Sequence, residues 1–292
     1  MLQMLTLVAD LRATTLTDQM IARVRDLTGG GEPVALAAGE AADIPLPRPP
    51  DMDAVRAALD GAPIDAIPVA AANRRKRLLI ADMDSTIVTG ETLDELADFA
   101  GLKEPIAAIT RRSMNGEIDF AQALRERVAM LRGLSVAALD KTWERVRLTP
   151  GARELVATMR AHGAVTALVS GGLTYFTGRV ATLVGFDVHV SNVLIHDGSA
   201  LTGAVQEPIL DRDAKLTTLR RLSREHRIEM ADTLAVGDGA NDLAMLRAAG
   251  LGIAFHAKPI VAAEARARVD HGNLRALLFA QGYRADEIVG AV

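Results

Sequence analysis

Apolar and polar positions along the chain change their period twice. The first 73 residues alternate short apolar runs with helical stretches. "MLTLVAD" predicts a strand, and "LTDQMIARVRDLTGG" a helix closed by Gly29 and Gly30. "EPVALAAGEAADIPLP" predicts one or two strands, "PPDMDAVRAALDGA" a helix opened by proline and acidic residues, and "IDAIPVAA" a last strand. From residue 77 apolar runs alternate with amphipathic helices, the pattern of a parallel α/β sheet. "RLLIADMD", "AVTALVSGG", "DTLAVGDG" and "LGIAFHA" predict strands. "GARELVATMRAHG", "LTYFTGRVATLVG", "RDAKLTTLRRLSREHRI" and "NDLAMLRAAG" predict helices. "FDVHVSNVLIHDGSALTGAV" predicts strands with a turn at Asp197-Gly198. Residues 91 to about 146 interrupt the alternation with helical sequence, a cap inserted after the first core strand. "NRRKR", residues 73–77, reads as a solvated linker. The division expected is therefore 1–73 and 74–292, with the cap at about 91–146 and no internal repeat.

Composition narrows the classes. Hydrophobic residues are 49% and aromatics 3%, so Leu, Val, Ile and Ala must fill a sizeable core. A formal charge of -4 argues against a general nucleic-acid or anionic-membrane binder, so an anionic ligand needs a local site. The absence of cysteine removes disulfides, thiolate zinc sites and cysteine nucleophiles. The N-terminus has no secretion pattern, and no run of about 18 apolar residues predicts a membrane helix, so a cytoplasmic location is expected. The six histidines show no metal-ligand spacing and read as structural or solvated, and Trp143 reads as packing between cap and core.

The chemistry gathers where strands end. Open α/β sheets place sites beyond the carboxyl ends of their strands. Three predicted strands end in Asp82 and Asp84, in Ser170-Gly171-Gly172, and in Asp238, with Asn241 and Asp242 following; Lys215 lies on a helix between the last two. Carboxylates crowded into one crevice repel unless a cation joins them, and oxygen ligands without cysteine favour Mg²⁺. The expected metal ligands are Asp82, Asp238 and the backbone carbonyl of Asp84. Ser170, the Gly171 amide and Lys215 supply donors for the oxygens of a transferred phosphoryl group. Two carboxylates two residues apart then divide the work. Asp82 attacks phosphorus, and Asp84 serves as general acid and then base.

"DMDST", "SGG", Lys215 and "GDGANDLAM" resemble, in order, the four signature motifs of the haloacid dehalogenase (HAD) superfamily. The resemblance covers about residues 77–260 and implies a Rossmann-like core. "DMDSTIVTGETLDELADFAG", "FAQALRERVAMLRGL", "SGGLTYF" and "GDGANDLAMLRAAGLGIAFHAKP" are similar to the phosphoserine phosphatase family within it. The aromatic residue common before the first Asp is Ala81 here. The resemblance implies Mg²⁺-dependent hydrolysis of O-phospho-L-serine, the last step of L-serine biosynthesis. It implies that Glu91 meets the substrate ammonium, Arg127 its carboxylate, and Asn241 the substrate, with Met114 and Phe120 closing the site. Asp242 would orient Lys215 or the metal, with Gly172 beside it. The N-terminal stretch resembles ACT or ferredoxin-like α+β modules, implying amino-acid feedback, a homodimer contact or a purely structural part.

Each feature alone has a plainer reading: a solvated turn for the Asp pair, a bare turn for "SGG", surface charge for Lys215, a solvated helix face for Glu91 and Arg127, core packing for Met114 and Phe120. Their joint order displaces the first three. Two rivals stay open: a HAD phosphotransferase or phosphatase for another small phosphate ester, and a receiver-type phospho-switch.

Overall fold

A computed structural model describes residues 3–114, 117–211 and 213–290. The chain begins β1 (Gln3–Ala9), α1 (Asp18–Thr28), β2 (Val34–Ala37), β3 (Ala41–Leu46), α2 (Met52–Ala58), β4 (Ile64–Ala70). The antiparallel sheet has the order β2-β3-β1-β4, a ferredoxin-like arrangement. Helix α1 starts where the Thr17 hydroxyl accepts the Met20 N–H at 3.3 Å. It stops at Gly29, whose φ of 62° is the left-handed conformation of a helix end. One sheet face buries Leu5, Leu7 and Ile44 against Val24 and Val55 of the helices. The other face, with Val8, Ile67 and Val69, shares a core with Leu277, Phe279 and Tyr283 near the C-terminus. Both faces are covered, which accounts for the run of buried positions in β4.

Strand β5 (Leu78–Ala81) leads through an irregular turn at Met83–Ile87 into the helical insert: α3 (Thr92–Asp98), α4 (Lys103–Met114), α5 (Phe120–Met130) and α6 (Ala137–Arg145). The chain returns through α7 (Ala152–Ala161), β6 (Val165–Leu173), α8 (Thr174–Val184), β7 (Val188–Asn192) and the hairpin β8 (Leu194–His196) and β9 (Leu201–Val205). Then follow α9 (Asp213–Glu225), β10 (Thr233–Gly237), α10 (Leu243–Ala248), β11 (Leu251–Phe255), α11 (Pro259–Glu264), β12 (Ala267–Val269) and α12 (Ala276–Ala280).

The main sheet has the order β12-β11-β10-β5-β6-β7 with every pair parallel. All four residues of β5 are fully buried, Leu79 and Ala81 in one core cluster and Leu78 and Ile80 in another. The strand reads as a continuous apolar run because helices cover both faces. From β5 the chain winds outward through β6 and β7, then returns to β10 on the other side. The crevice therefore opens at the carboxyl ends of β5 and β10. The insert joins the core by two antiparallel strands of backbone, with Thr89 N–H on the Arg147 carbonyl at 3.0 Å and Thr149 N–H on that of Ile87 at 2.9 Å. The β8–β9 hairpin turns at Asp197-Gly198 and braces the insert through bonds between Leu201 and Gly133 and Leu134.

Two features depart from the sequence pattern. Residues 73–77 are only in part a solvated linker: Asn73, Arg75 and Arg77 are exposed, but Arg74 and Lys76 are not. Arg74 donates to Asp43 at 2.5 and 2.6 Å and to the Phe279 and Ala280 carbonyls. Lys76 is buried, donating to the Asn73 and Ala231 carbonyls. A basic run carries no sign of the acceptors that long-range folding brings to it. Beyond residue 258, α11, β12 and α12 have six, three and five residues, too short for a periodic signal. Among the described residues, no helix is long and apolar enough to cross a membrane.

Candidate active site

Asp82 ends β5, its N–H still on the Val236 carbonyl of β10 at 3.0 Å. Its carboxylate accepts the Met83 N–H at 2.8 Å and lies 2.7 Å from the Lys215 ammonium. The turn then bends sharply, with Ser85 left-handed at φ 55°. Such a conformation costs a non-glycine residue about 1 kcal/mol and needs local support. Here the Ser85 hydroxyl donates to Glu91 at 2.7 Å.

The bend aims Asp84 elsewhere. One of its oxygens accepts the Thr92 N–H of α3 at 2.7 Å, and the other the Ser170 hydroxyl at 3.2 Å. Burial, then the charge of Glu91, push the Asp84 carboxyl up to about 7, against the bonds from Thr92 and Ser170. A carboxyl that holds a proton near neutrality can donate it.

Asp82, Asp238 and Asp242 each offer an oxygen, and these lie within 4.8 Å of one another. The Asp84 carboxylate is outside that trio. Lys215 is 2% exposed and donates to Asp242 at 2.5 Å, while Asp242 accepts the Gly239 N–H at 2.9 Å. Burial opposes the Lys215 charge, but Asp242 and Asp82 outweigh it and hold the ammonium above the usual lysine range. Burial and Asp242 push Asp82 well up against Lys215, and burial pushes Asp238 up to about 6 against Lys258. Three buried carboxylates face the buried Lys215 ammonium and the part-exposed ammonium of Lys258, so the trio is still short of positive charge. Clustered hard oxygens short of positive charge fit a divalent ion.

The Ser170 hydroxyl accepts the Gly172 N–H at 2.9 Å and donates to Asp84. Gly171 packs beneath Phe120 of the insert, where a Cβ would lie 2.5 Å from the ring Cζ. The insert is thus seated on the crevice. A Cβ on Gly172 would lie 3.1 Å from an Asp84 oxygen. Asn241 follows Asp238 in a short turn, its side-chain oxygen close against Gly239. Met114 ends α4, and its side chain lies outside the described residues.

Arg127 on α5 is half-buried. Its guanidinium donates to the Ala123 carbonyl and the Thr110 hydroxyl at 3.2 and 3.3 Å. Among the described residues no carboxylate lies within ion-pair distance of it. Burial lowers its pKa against the pull of Asp94, Glu91 and Asp84. A desolvated guanidinium without a carboxylate suits an anionic ligand.

A profile of the haloacid dehalogenase-like hydrolases matches residues 79–247. The chain belongs to that family. It is 42% identical over 207 residues to the phosphoserine phosphatase of Archaeoglobus fulgidus, covering 71% of this chain and 60% of that one. The HAD chain therefore spans less than two thirds of that relative's length. A solved structure described as a phospho-aspartyl intermediate analogue of phosphoserine phosphatase is 39% identical, with a TM-score of 0.66 over 70% of this chain and 98% of that one. A HAD family hydrolase from Salmonella enterica serovar Typhi is 28% identical and superposes over 100% of this chain and 99% of its own, with a TM-score of 0.85.

Sequence reasoning missed Ser85 and Lys258. Ser85 stands inside "DMDST" but shows its use only through the backbone bend. Lys258 lies just past β11, a strand-end position of the same kind as Asp238, and its ammonium is 3.4 Å from the Asp238 carboxylate.

Proposed function

We propose that this HAD chain hydrolyses O-phospho-L-serine to L-serine and phosphate, with Mg²⁺ as its metal. The observation that carries the reading is the pairing of Asp82 with Lys215 and of Asp84 with Ser170 at the crevice, and Arg127 in the cap, which among the described residues has no carboxylate within ion-pair distance, supports it. The relatives named phosphoserine phosphatase, and the phospho-aspartyl analogue among them, support it.

An oxygen of Asp82 attacks phosphorus, and the bond from phosphorus to the serine oxygen breaks. Asp84 gives its proton to the departing alkoxide, which a carboxyl raised to about 7 can do near neutrality. Water then attacks the aspartyl-phosphate, Asp84 takes a proton from it, and the bond to Asp82 breaks to free phosphate. Lys215, Ser170 and the Gly171 amide hold the phosphoryl oxygens throughout. Asp82, Asp238 and the Asp84 carbonyl would hold Mg²⁺, with Asp242 fixing Lys215 beside it; a bound Mg²⁺ offsets phosphoryl charge. Glu91 takes the substrate ammonium, Arg127 its carboxylate, and Asn241 a further substrate contact, while Phe120 shuts the cap against water. Residues 1–73 and 74–292, with the cap at 91–146, are the working parts of this reading, and cytoplasmic serine biosynthesis its setting.

The test is phosphate release from O-phospho-L-serine and from a panel of small phosphate esters, with Mg²⁺ and with chelator, in the parent and in Asp82→Asn. Selective, metal-dependent turnover that Asp82→Asn abolishes in a folded protein is expected. Turnover without preference for phosphoserine overturns the cap assignment, transfer to added alcohols favours a phosphotransferase, and activity in Asp82→Asn refutes the nucleophile.

A further inference from the structure

The N-terminal unit is joined to Asp238 by a route of hydrogen bonds. Asp65 of β4 is 3% exposed. One of its oxygens accepts the N–H groups of Asp270 and His271 at 2.7 and 3.1 Å, and the other that of Gly272 at 2.7 Å. The approach needs glycine, since a Cβ on Gly272 would lie 2.9 Å from Asp65. This turn follows β12 and reaches back to the end of β11. The His256 ring donates from Nε2 to the Gly272 carbonyl at 2.7 Å, and the His256 N–H donates to the Val269 carbonyl at 2.8 Å.

His256 is left-handed, φ 44°, a conformation that other contacts must enforce. Here the enforcing contacts are the bonds to Val269 and Gly272. Its backbone direction sets the next residues. The Lys258 N–H donates to the Asp238 carbonyl at 3.1 Å, and its ammonium stands 3.4 Å from the Asp238 carboxylate.

We propose that Asp65 is a positioning residue for the acidic cluster: by fixing the 270–272 turn it holds His256 left-handed and so sets Lys258 on Asp238. This rests on the reading of Asp238 as a metal ligand. The N-terminal unit is then part of the metal site's support. Asp65→Asn leaves a single acceptor oxygen for three N–H groups, which lets His256 relax and loosens Asp238. Groups that hold a ligand residue in place typically govern metal affinity by about 10–100-fold.

A purely adhesive role for Asp65 makes a different forecast, and Glu40 provides the control. Glu40 bridges the same two units through a two-pronged pair with Arg275, both distances 3.0 Å, and stands outside the route to His256. The experiment uses the full chain with Asp65→Asn, His256→Ala and Glu40→Gln. Mg²⁺ is titrated by calorimetry into substrate-free protein, with melting temperature and the kinetics of O-phospho-L-serine hydrolysis measured beside it. Asp65→Asn and His256→Ala should each weaken Mg²⁺ about tenfold with KM little changed. Glu40→Gln should lower the melting temperature and leave Mg²⁺ affinity as in the parent. Equal Mg²⁺ affinity in all four proteins, or equal weakening by Glu40→Gln, overturns the proposal. Should Asp65→Asn fail to fold, His256→Ala decides on the same outcomes. A parent that binds no Mg²⁺ removes the underlying reading of Asp238, and with it this proposal, before any variant is compared.

Discussion

Gly171 and Phe120 offer the sharpest perturbation of the site. Gly171 is not left-handed, so alanine there meets a steric problem and no backbone strain. Its Cβ would lie 2.5 Å from Phe120 Cζ and 3.0 Å from Cε2. Ordinary carbon contacts are about 3.5–4.0 Å, so the ring must retreat by about 1 Å. Overpacking of this kind costs about 1–3 kcal/mol. The cost falls on the seated cap that the structure describes, and it is escaped if Phe120 moves off Gly171 in the open form that the proposed cycle requires. At about 1.4 kcal/mol per tenfold, Gly171→Ala should lower kcat/KM by about 5- to 100-fold. The assay is phosphate release beside a melting curve, which should hardly move because the open form escapes the clash. Phe120→Leu removes Cζ, and the double variant should recover most of what Gly171→Ala loses. A Gly171→Ala enzyme within twofold of the parent, or a double variant whose losses simply add, refutes the reasoning.

Arg127→Ala should raise KM for O-phospho-L-serine by about 10- to 100-fold, the worth of a lost charged hydrogen bond, and leave phosphate esters without a carboxylate unaffected; equal losses on both substrates would remove the carboxylate role. Asp84 needs its proton to release the alkoxide, so kcat/KM should fall as pH rises through the Asp84 pKa of about 7. A profile from pH 5 to 9 without that basic limb would argue against Asp84 as the acid.

The positions of Asp82 and Asp238 were legible because a strand buried on both faces reads as an unbroken apolar run, and polar residues at its end stand out; Ser170 closes such a run too, although β6 continues through Gly171 and Gly172 to Leu173. The sheet and the N-terminal α+β fold were legible for the same reason of period. The destination of a charge was not. Arg74, read as solvated, finds Asp43 across 31 residues of chain, a pairing no local pattern encodes. Asp65 looks like any polar position in a strand until the 270–272 turn closes on it. The bend at Ser85 is likewise invisible, since serine rarely takes the left-handed conformation unless its surroundings demand it.

Under the proposed roles, that bend couples recognition to chemistry. Ser85 follows Asp82 and Asp84 in the turn and donates to Glu91. After burial, the Glu91 charge is the largest influence holding the Asp84 proton on. If Glu91 takes the substrate ammonium, its charge is neutralised at the moment of binding, and the Asp84 proton is released more readily. The acid then strengthens only when a substrate with an ammonium group is in place. The basic limb of kcat, which reports the enzyme-substrate complex, should accordingly lie at lower pH than the limb of kcat/KM, which reports free enzyme. An ester that lacks the ammonium should show no such displacement. Specificity would then reside partly in how easily the proton moves and only partly in how tightly the substrate is held.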